Sequence, residues 1–389
     1  MSISAWLRGL ISSALVWGLF SGAVAASARE ISSDGRLLLQ QLLETADYDS
    51  EFDRNEAAAR IEGEMAELLD RFDSGQTTLK KARRLHRVLH REWLVEYDPD
   101  ADHLEVAIEE GRFNCLSGTL LYALAARELG YDVIVVETPG HLFLELETPA
   151  RSVVVESTSS YGFDVPLHRI AGPDAKEDAS RWLRLEAPGT RPSSAHPGLW
   201  RMSLEEAVGF AWLNRAWILL EAGEAAGSAR AVDRALGYLP TFAPRSKGVD
   251  RLLTRAFHQA YERGAFEEAY LSSRIALVLY PESTSVRDRL YASAAKGLIQ
   301  AAEQGRLTFV EERLTEVREA LAAIDPIGLR GFERSLLPDV IAAAVRESQF
   351  LRARRWQLRH AEVERDPIEV RRLNNWLEAR TRDWIFPLF

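Results

Sequence analysis

The chain has 389 residues, 47% of them hydrophobic, a formal net charge of −10 and a single cysteine. That length suits two domains and a sizeable core. The densest basic stretch, Arg352-Ala-Arg-Arg, reads as a solvated helix face, so the chain lacks the Lys/Arg clusters that neutralise phosphates and nucleic acid is not an expected partner.

The N-terminus, MSISAWLRGLISSALVWGLFSGAVAASA, places one cation, Arg8, ahead of an apolar run from about Leu10 to Phe20. Small residues follow, in Ala-x-Ala patterns at Ala23 and Ala26. This is the layout of a secretory signal peptide over residues 1–28, and it predicts an exported protein, periplasmic or secreted. An uncleaved anchor is the alternative, although the run is short for a bilayer span of roughly 20 residues. No later stretch is apolar enough to cross a membrane, so no stable span is expected after cleavage.

Residues 29–165 form the first expected domain. From Asp34 to about Trp93 the pattern is helical, with Asp53 as a cap ahead of the stripe Ile61, Met65, Leu68 and Leu69. His86 and His90, four apart, share a helix side as a metal pair would, but Arg87 stands where a zinc-protease motif needs Glu, so they read as a polar face. The acidic run Asp98 to His103 lacks the glycine and closing glutamate of a calcium loop and reads as a turn.

A helix from Cys115 to Leu129, stopped by Gly130, then gives way to the strand patterns DVIVVET, HLFLELE and SVVVEST. The expected fold class is α+β: a cysteine-bearing helix on an antiparallel sheet, followed by helices. Residues 166–202, rich in Pro, Gly, Ser and Asp, read as a linker. Residues 203–389 read as an α-helical, degenerate repeat domain, with Pro240, Pro281 and Pro326 closing helical stretches about 41 and 45 residues apart. Within it, AYERGAFEEAYLSSRIALVLYP resembles the second part of a tetratricopeptide repeat, with Gly264, Ala269 and Pro281 as turn, packing residue and stop.

Three residues invite a catalytic reading. Cys115 opens a helix, where free N–H groups and the dipole stabilise an anionic sulfur and a developing oxyanion. On the strands, His141 shares a face with Phe143 and Glu145, and Glu156 shares one with Ser152 and Val154. With residues 147–150 as the hairpin loop, Leu146 pairs with Arg151, Leu144 with Val153 and Leu142 with Val155, the apolar faces coincide, and His141 falls opposite Glu156. A thiolate nucleophile, an imidazole to move the proton and an acid to fix its tautomer make up the constellation of acyl-transfer chemistry. Tyr161 is a candidate pocket-lining aromatic or a simple strand-end residue. The sequence has no nucleophile elbow, phosphate loop or dinucleotide fingerprint, so no cofactor or metal is expected.

The segments GRFNCLSGTLLYALAARELGYDV, VETPGHLFLEL and VVVESTSSYG resemble the transglutaminase-like superfamily of papain-fold cysteine enzymes, over roughly Leu79 to Phe163. The resemblance implies a papain-like core with Cys115 as nucleophile, His141 as general base and acid, and Glu156 as orienting acid, a position where the family more often carries Asp. It implies a peptide or protein substrate cut or transferred through an acyl-thioester, with the helical domain presenting substrate or docking a protein partner. A related branch keeps the Pro-Gly-His segment without the cysteine, which keeps a second expectation open: a non-catalytic, peptide-binding or assembly protein of the cell envelope.

Overall fold

The computed structural model describes residues 30–46, 48–72, 75–138, 141–170, 199–239 and 247–385. The expected signal peptide and most of the expected linker, 171–198, lie outside them.

Three helices come first: α1 (Ser33–Leu43), α2 (Glu51–Asp70) and α3 (Leu79–Glu92). Each begins at a hydroxyl, where Ser32, Ser50 and Thr78 accept the N–H groups of Gly35, Asp53 and Lys81. These bonds satisfy donors that the first turn leaves open. The cap expected at Asp53 is therefore three residues earlier. Asp53 is its partner, and its carboxylate accepts from the Ser50 hydroxyl at 2.7 Å. The stripe Ile61, Met65, Leu68 and Leu69 is buried.

A short parallel pair, β1 (Glu96–Tyr97) and β2 (Arg112–Phe113), brackets α4 (Leu104–Glu110) and delivers the chain to α5 (Cys115–Glu128). From Cys115 to Ala126 every residue of α5 is buried. The helix stops at Gly130, whose φ of 88° lets its own N–H and that of Tyr131 close on the carbonyls of Arg127 and Ala126.

The sheet has β3 (Asp132–Thr138), β4 (His141–Glu147), β5 (Ser152–Val155) and β6 (Trp200–Met202), in the order β5-β4-β3-β6, all antiparallel. Leu142, Leu144, Leu146, Val153 and Val155 join α5 in the main core. On the other face, Val136 and Phe143 form a second small cluster with Leu199 and with Ile170 of α6 (Leu167–Ile170). The interval read as linker thus supplies a fourth strand. Three residues are too few to show alternation, which is why β6 left no pattern.

The β4–β5 register also differs from expectation, by two residues. Leu146 faces Val153 and Leu144 faces Val155 as partners across the ladder, but Glu147 pairs with Ser152. Thr148 sets this. Its N–H and hydroxyl bond the carbonyl of Arg151 at 3.1 and 2.7 Å, and its oxygen accepts the Arg151 N–H at 3.2 Å. The loop therefore closes at Thr148 and Arg151. Because a slip of two preserves the faces, hydrophobic pattern alone does not separate the two registers.

Beyond the sheet the chain is helical: α7 (Leu204–Glu221), α8 (Ala225–Tyr238), α9 (Lys247–Glu262), α10 (Phe266–Leu279), α11 (Thr284–Glu303), α12 (Leu307–Leu321), α13 (Pro326–Arg346), α14 (Phe350–Val363) and α15 (Pro367–Ile385). Each helix packs on the next, and several also pack on the next but one. A single turn recurs. Gly223, Gly264, Gly305 and Ser348 adopt positive φ and bond the carbonyls of Leu220, Tyr261, Ala302 and Val345. The following N–H groups, of Glu224, Ala265, Arg306 and Gln349, reach back to Leu219, Ala260, Ala301 and Ala344 at 2.8–2.9 Å. These turns lie about 41 to 43 residues apart, a more even period than the prolines give. The expected boundary at 203 is not a gap: α7 packs on α1, α5, β3 and β6, and one apolar cluster runs from α1 to α15.

Candidate active site

The mouth of α5 is built from the loop read as a plain turn. Asn114 caps the helix, its Oδ1 taking the N–H groups of Leu116 and Ser117 at 2.9 and 3.0 Å. Ser117 completes a capping box by accepting the Asn114 N–H at 3.0 Å. The 98–103 loop then clamps the cap from outside. Pro99 O accepts from Asn114 Nδ2 at 3.1 Å, and Ala101 O accepts from the Ser117 hydroxyl at 2.6 Å. Asp98 Oδ1 accepts the Asp100 N–H at 3.0 Å, which folds the loop on itself. Cys115 is thereby fixed at the first helical position, with no exposed surface. The Leu116 and Ser117 N–H groups are committed to Asn114, so these two do not serve a substrate oxyanion.

The structure brings His141 to both of its expected neighbours. Its Nε2 meets Glu156 Oε2, and its side chain also hydrogen-bonds Cys115. With Nε2 taken by the carboxylate, the other ring nitrogen is the one left for the sulfur. Burial by itself pulls the imidazole down. The bonds to Cys115 and Glu156, together with the Glu156 charge, outweigh it and push His141 up to about 10. Burial alone would raise the Glu156 carboxyl, but the bond and charge of His141 and the bonds from Thr158 hold it below the usual carboxylate range. Each partner thus favours the charged form of the other.

Glu156 lies just past the end of β5, in a tight loop. Its N–H bonds Gly162 O at 2.8 Å, and the Gly162 N–H bonds Ser159 O at 2.8 Å. A Cβ on Gly162 would sit 1.9 Å from the Glu156 carbonyl oxygen, so the loop closes only around glycine. Inside it, Thr158 donates both its N–H (2.8 Å) and its hydroxyl (2.6 Å) to Glu156 Oε1. This leaves Oε2 aimed at the ring. Thr158 and Asn114 carry no periodic or motif signal. A Ser/Thr cluster directly after an acid, and an Asn directly before the cysteine, were the only traces they left. Tyr161, offered as a pocket-lining aromatic, is 92% exposed.

His86 and His90 do not form a polar face. Their rings lie 4.5 Å apart, and His86 is buried between Tyr122 and Phe163. Burial, with His90 beside it, pushes His86 down to about 4. Among the described residues no group of three His, Cys, Asp or Glu side chains is placed to hold a metal, and no helix is long and apolar enough to cross a membrane. One buried acid stands apart: Glu137 on β3 is fully buried, neither oxygen has a hydrogen-bond partner, and burial pushes it up to about 8.

No family model and no curated protein matches the chain. Among solved structures, the crystal structure of menin, described by its binding site for Mixed Lineage Leukemia (MLL) protein, aligns at 11% identity over 89% of this chain and 90% of that one. Its TM-score is 0.30, a level at which the likeness carries no argument about fold or function.

Proposed function

We propose that this chain is an exported cysteine-dependent acyl-transfer enzyme with a transglutaminase-like, papain-type core, acting on amide bonds of peptides or protein side chains. The observation that carries the reading is the chain of contacts from Cys115 to His141 to Glu156, with the sulfur at the first position of a capped helix. The Cys115 sulfur attacks the amide carbonyl carbon. The tetrahedral intermediate then collapses, the C–N bond breaks, and His141 gives its proton to the leaving amine. An acyl-thioester remains on Cys115. Water or a second amine, losing a proton to His141, attacks it and releases the acyl group and the thiolate. Glu156 holds Nε2 throughout and balances the imidazolium charge. The helical array presents the substrate or docks a protein partner.

The test is to incubate the protein with a cell-envelope peptide extract and weigh the trapped adduct. An acyl mass on Cys115 that is absent from His141→Ala supports the reading. No adduct, together with Cys115 reactivity that is indifferent to His141, overturns it.

The complete burial of Cys115 favours a second reading. The same core would then be a non-catalytic peptide-binding or assembly module of the cell envelope, with the thiol as a small core hydrophobe. Under that reading Cys115→Ser matches the wild type in every cellular assay.

A further inference from the structure

One buried hydroxyl, on the helix that carries Cys115, touches the neighbours of the other two proposed catalytic residues. Thr119 lies one helical turn after Cys115 on α5. Its Oγ1 donates to the carbonyl of Leu142, the residue after His141, at 3.2 Å. The same oxygen lies 2.8 Å from the hydroxyl of Ser157, the residue after Glu156. Thr119 has one hydroxyl proton and spends it on Leu142, so Ser157 is the donor in the second bond. The result is a directed chain, Ser157 O–H to Thr119 O–H to Leu142 C=O. Thr119, Leu142 and Ser157 all have no exposed surface.

These bonds tie α5 to the strand and to the acid loop one turn away from the sulfur, beside the Cys115–His141–Glu156 contacts themselves. Glu156 has left the β5 ladder, which ends at Val155, and its loop bonds mostly to itself. α5 meets β4 through apolar side chains such as Leu142 and Leu144, and apolar contact resists sliding only weakly compared with a directional bond. A buried hydroxyl is also held to its partner by the cost of leaving it unsatisfied.

We infer that Thr119 and Ser157 are positioning residues for the proposed Cys115–His141–Glu156 site, setting the spacing of the helix, the strand and the acid loop. The inference rests on the acyl-transfer reading. The hydroxyls touch no reacting atom and act through the three backbone segments that carry them.

The experiment compares Thr119→Val, Thr119→Ser, Ser157→Ala and His141→Ala with the wild type. The readouts are the pH profile of Cys115 alkylation by iodoacetamide and the titration of the His141 ring by NMR, with the melting curve to verify folding. Thr119→Val keeps the side-chain shape and removes both bonds. It is expected to cut alkylation at pH 7 by about tenfold or more, and to lower the His141 midpoint toward the ordinary range near 6.5. Thr119→Ser restores most of both. Ser157→Ala, which keeps the bond to Leu142, serves if Thr119→Val does not fold, and is expected to show a smaller loss of the same kind. Wild-type profiles in folded Thr119→Val, or in Ser157→Ala where that variant must stand in, overturn the positioning role while leaving the acyl-transfer reading intact, provided His141→Ala still depresses alkylation. If His141→Ala leaves Cys115 reactivity unchanged, the acyl-transfer reading fails and the positioning role falls with it.

Discussion

Buried hydroxyls inside the helices of the array and those between α5 and the sheet bond in different ways. In the array, Ser272, Ser273 and Ser293 turn back on their own helices, to the carbonyls of Glu268, Ala269 and Arg289. Around α5 and the sheet, Ser117, Thr119 and Ser157 reach across the chain, to Ala101, Leu142 and one another. A bond inside one helix survives any rearrangement of that helix against its neighbours. A bond between distant segments fixes where those segments stand. These array hydroxyls therefore serve single helices, whereas those at the sheet end fix the spacing of separate segments, as the proposed Cys115–His141–Glu156 site requires.

The largest effect that would sharpen this contrast is expected from His141→Ala. It should lower acylation of Cys115 by about a thousandfold, within the range of general acid–base contributions. Single-turnover mass spectrometry checks this, and the melting of the array should hardly change. Wild-type acylation in His141→Ala would break the contrast outright.

Next comes Glu137→Gln, at a carboxyl that the sheet end leaves unserved. The folded state holds this proton up to about pH 8, while the unfolded chain releases it near its ordinary value of 4.5. The folded state thus binds more protons between those values, and wild-type stability falls as pH rises from 4.5 to 8. Glu137→Gln removes that loss. At pH 9 it should be more stable than wild type by about 5 kcal/mol, and near pH 4.5 the two should converge. Denaturant titrations at the two pH values measure the difference. Equal stability at pH 9 would show that Glu137 finds a partner in solution.

A smaller effect is expected in the array, where Glu333 is fully buried against the partly exposed Arg318 and Arg359. Glu333→Ala should cost about 2 kcal/mol, below the usual loss for a broken buried pair because the arginines can rehydrate. Thermal unfolding reports it, with Cys115 alkylation unchanged. The smallest is Ser348→Gly. Among the four recurring turns only this one carries a side chain at positive φ, here 57°. Glycine there should raise stability by about 0.5–1 kcal/mol, visible as a small rise in Tm.

The elements that repeat or alternate were readable in the sequence. HLFLELE is β4 from end to end, Gly130 stops α5, and the parity of His141 and Glu156 holds even though the register slips by two. The slip itself was unreadable, because the choice belongs to one threonine hydroxyl in the turn rather than to the apolar pattern. β6 was hidden by its brevity. The burial of His86 was unreadable because the rings packed around it and His90, namely Phe113, Tyr122 and Phe163, are distant in sequence. Thr119 and Ser157 matter through partners 23 and 38 positions away, and no local window contains such a bond.

The recurring turn of the array has a consequence for how this molecule can vary. Its bonds all fall within the last residues of one helix and the first of the next, so nothing in it depends on how many such hairpins precede or follow. Inserting or deleting one unit of about 41 residues beyond α8 would change the reach of the far end while leaving the packing of α7 on α1, α5, β3 and β6 in place. The reach of the array and the geometry around Cys115 are separable quantities here, and selection can tune one while the other stands still.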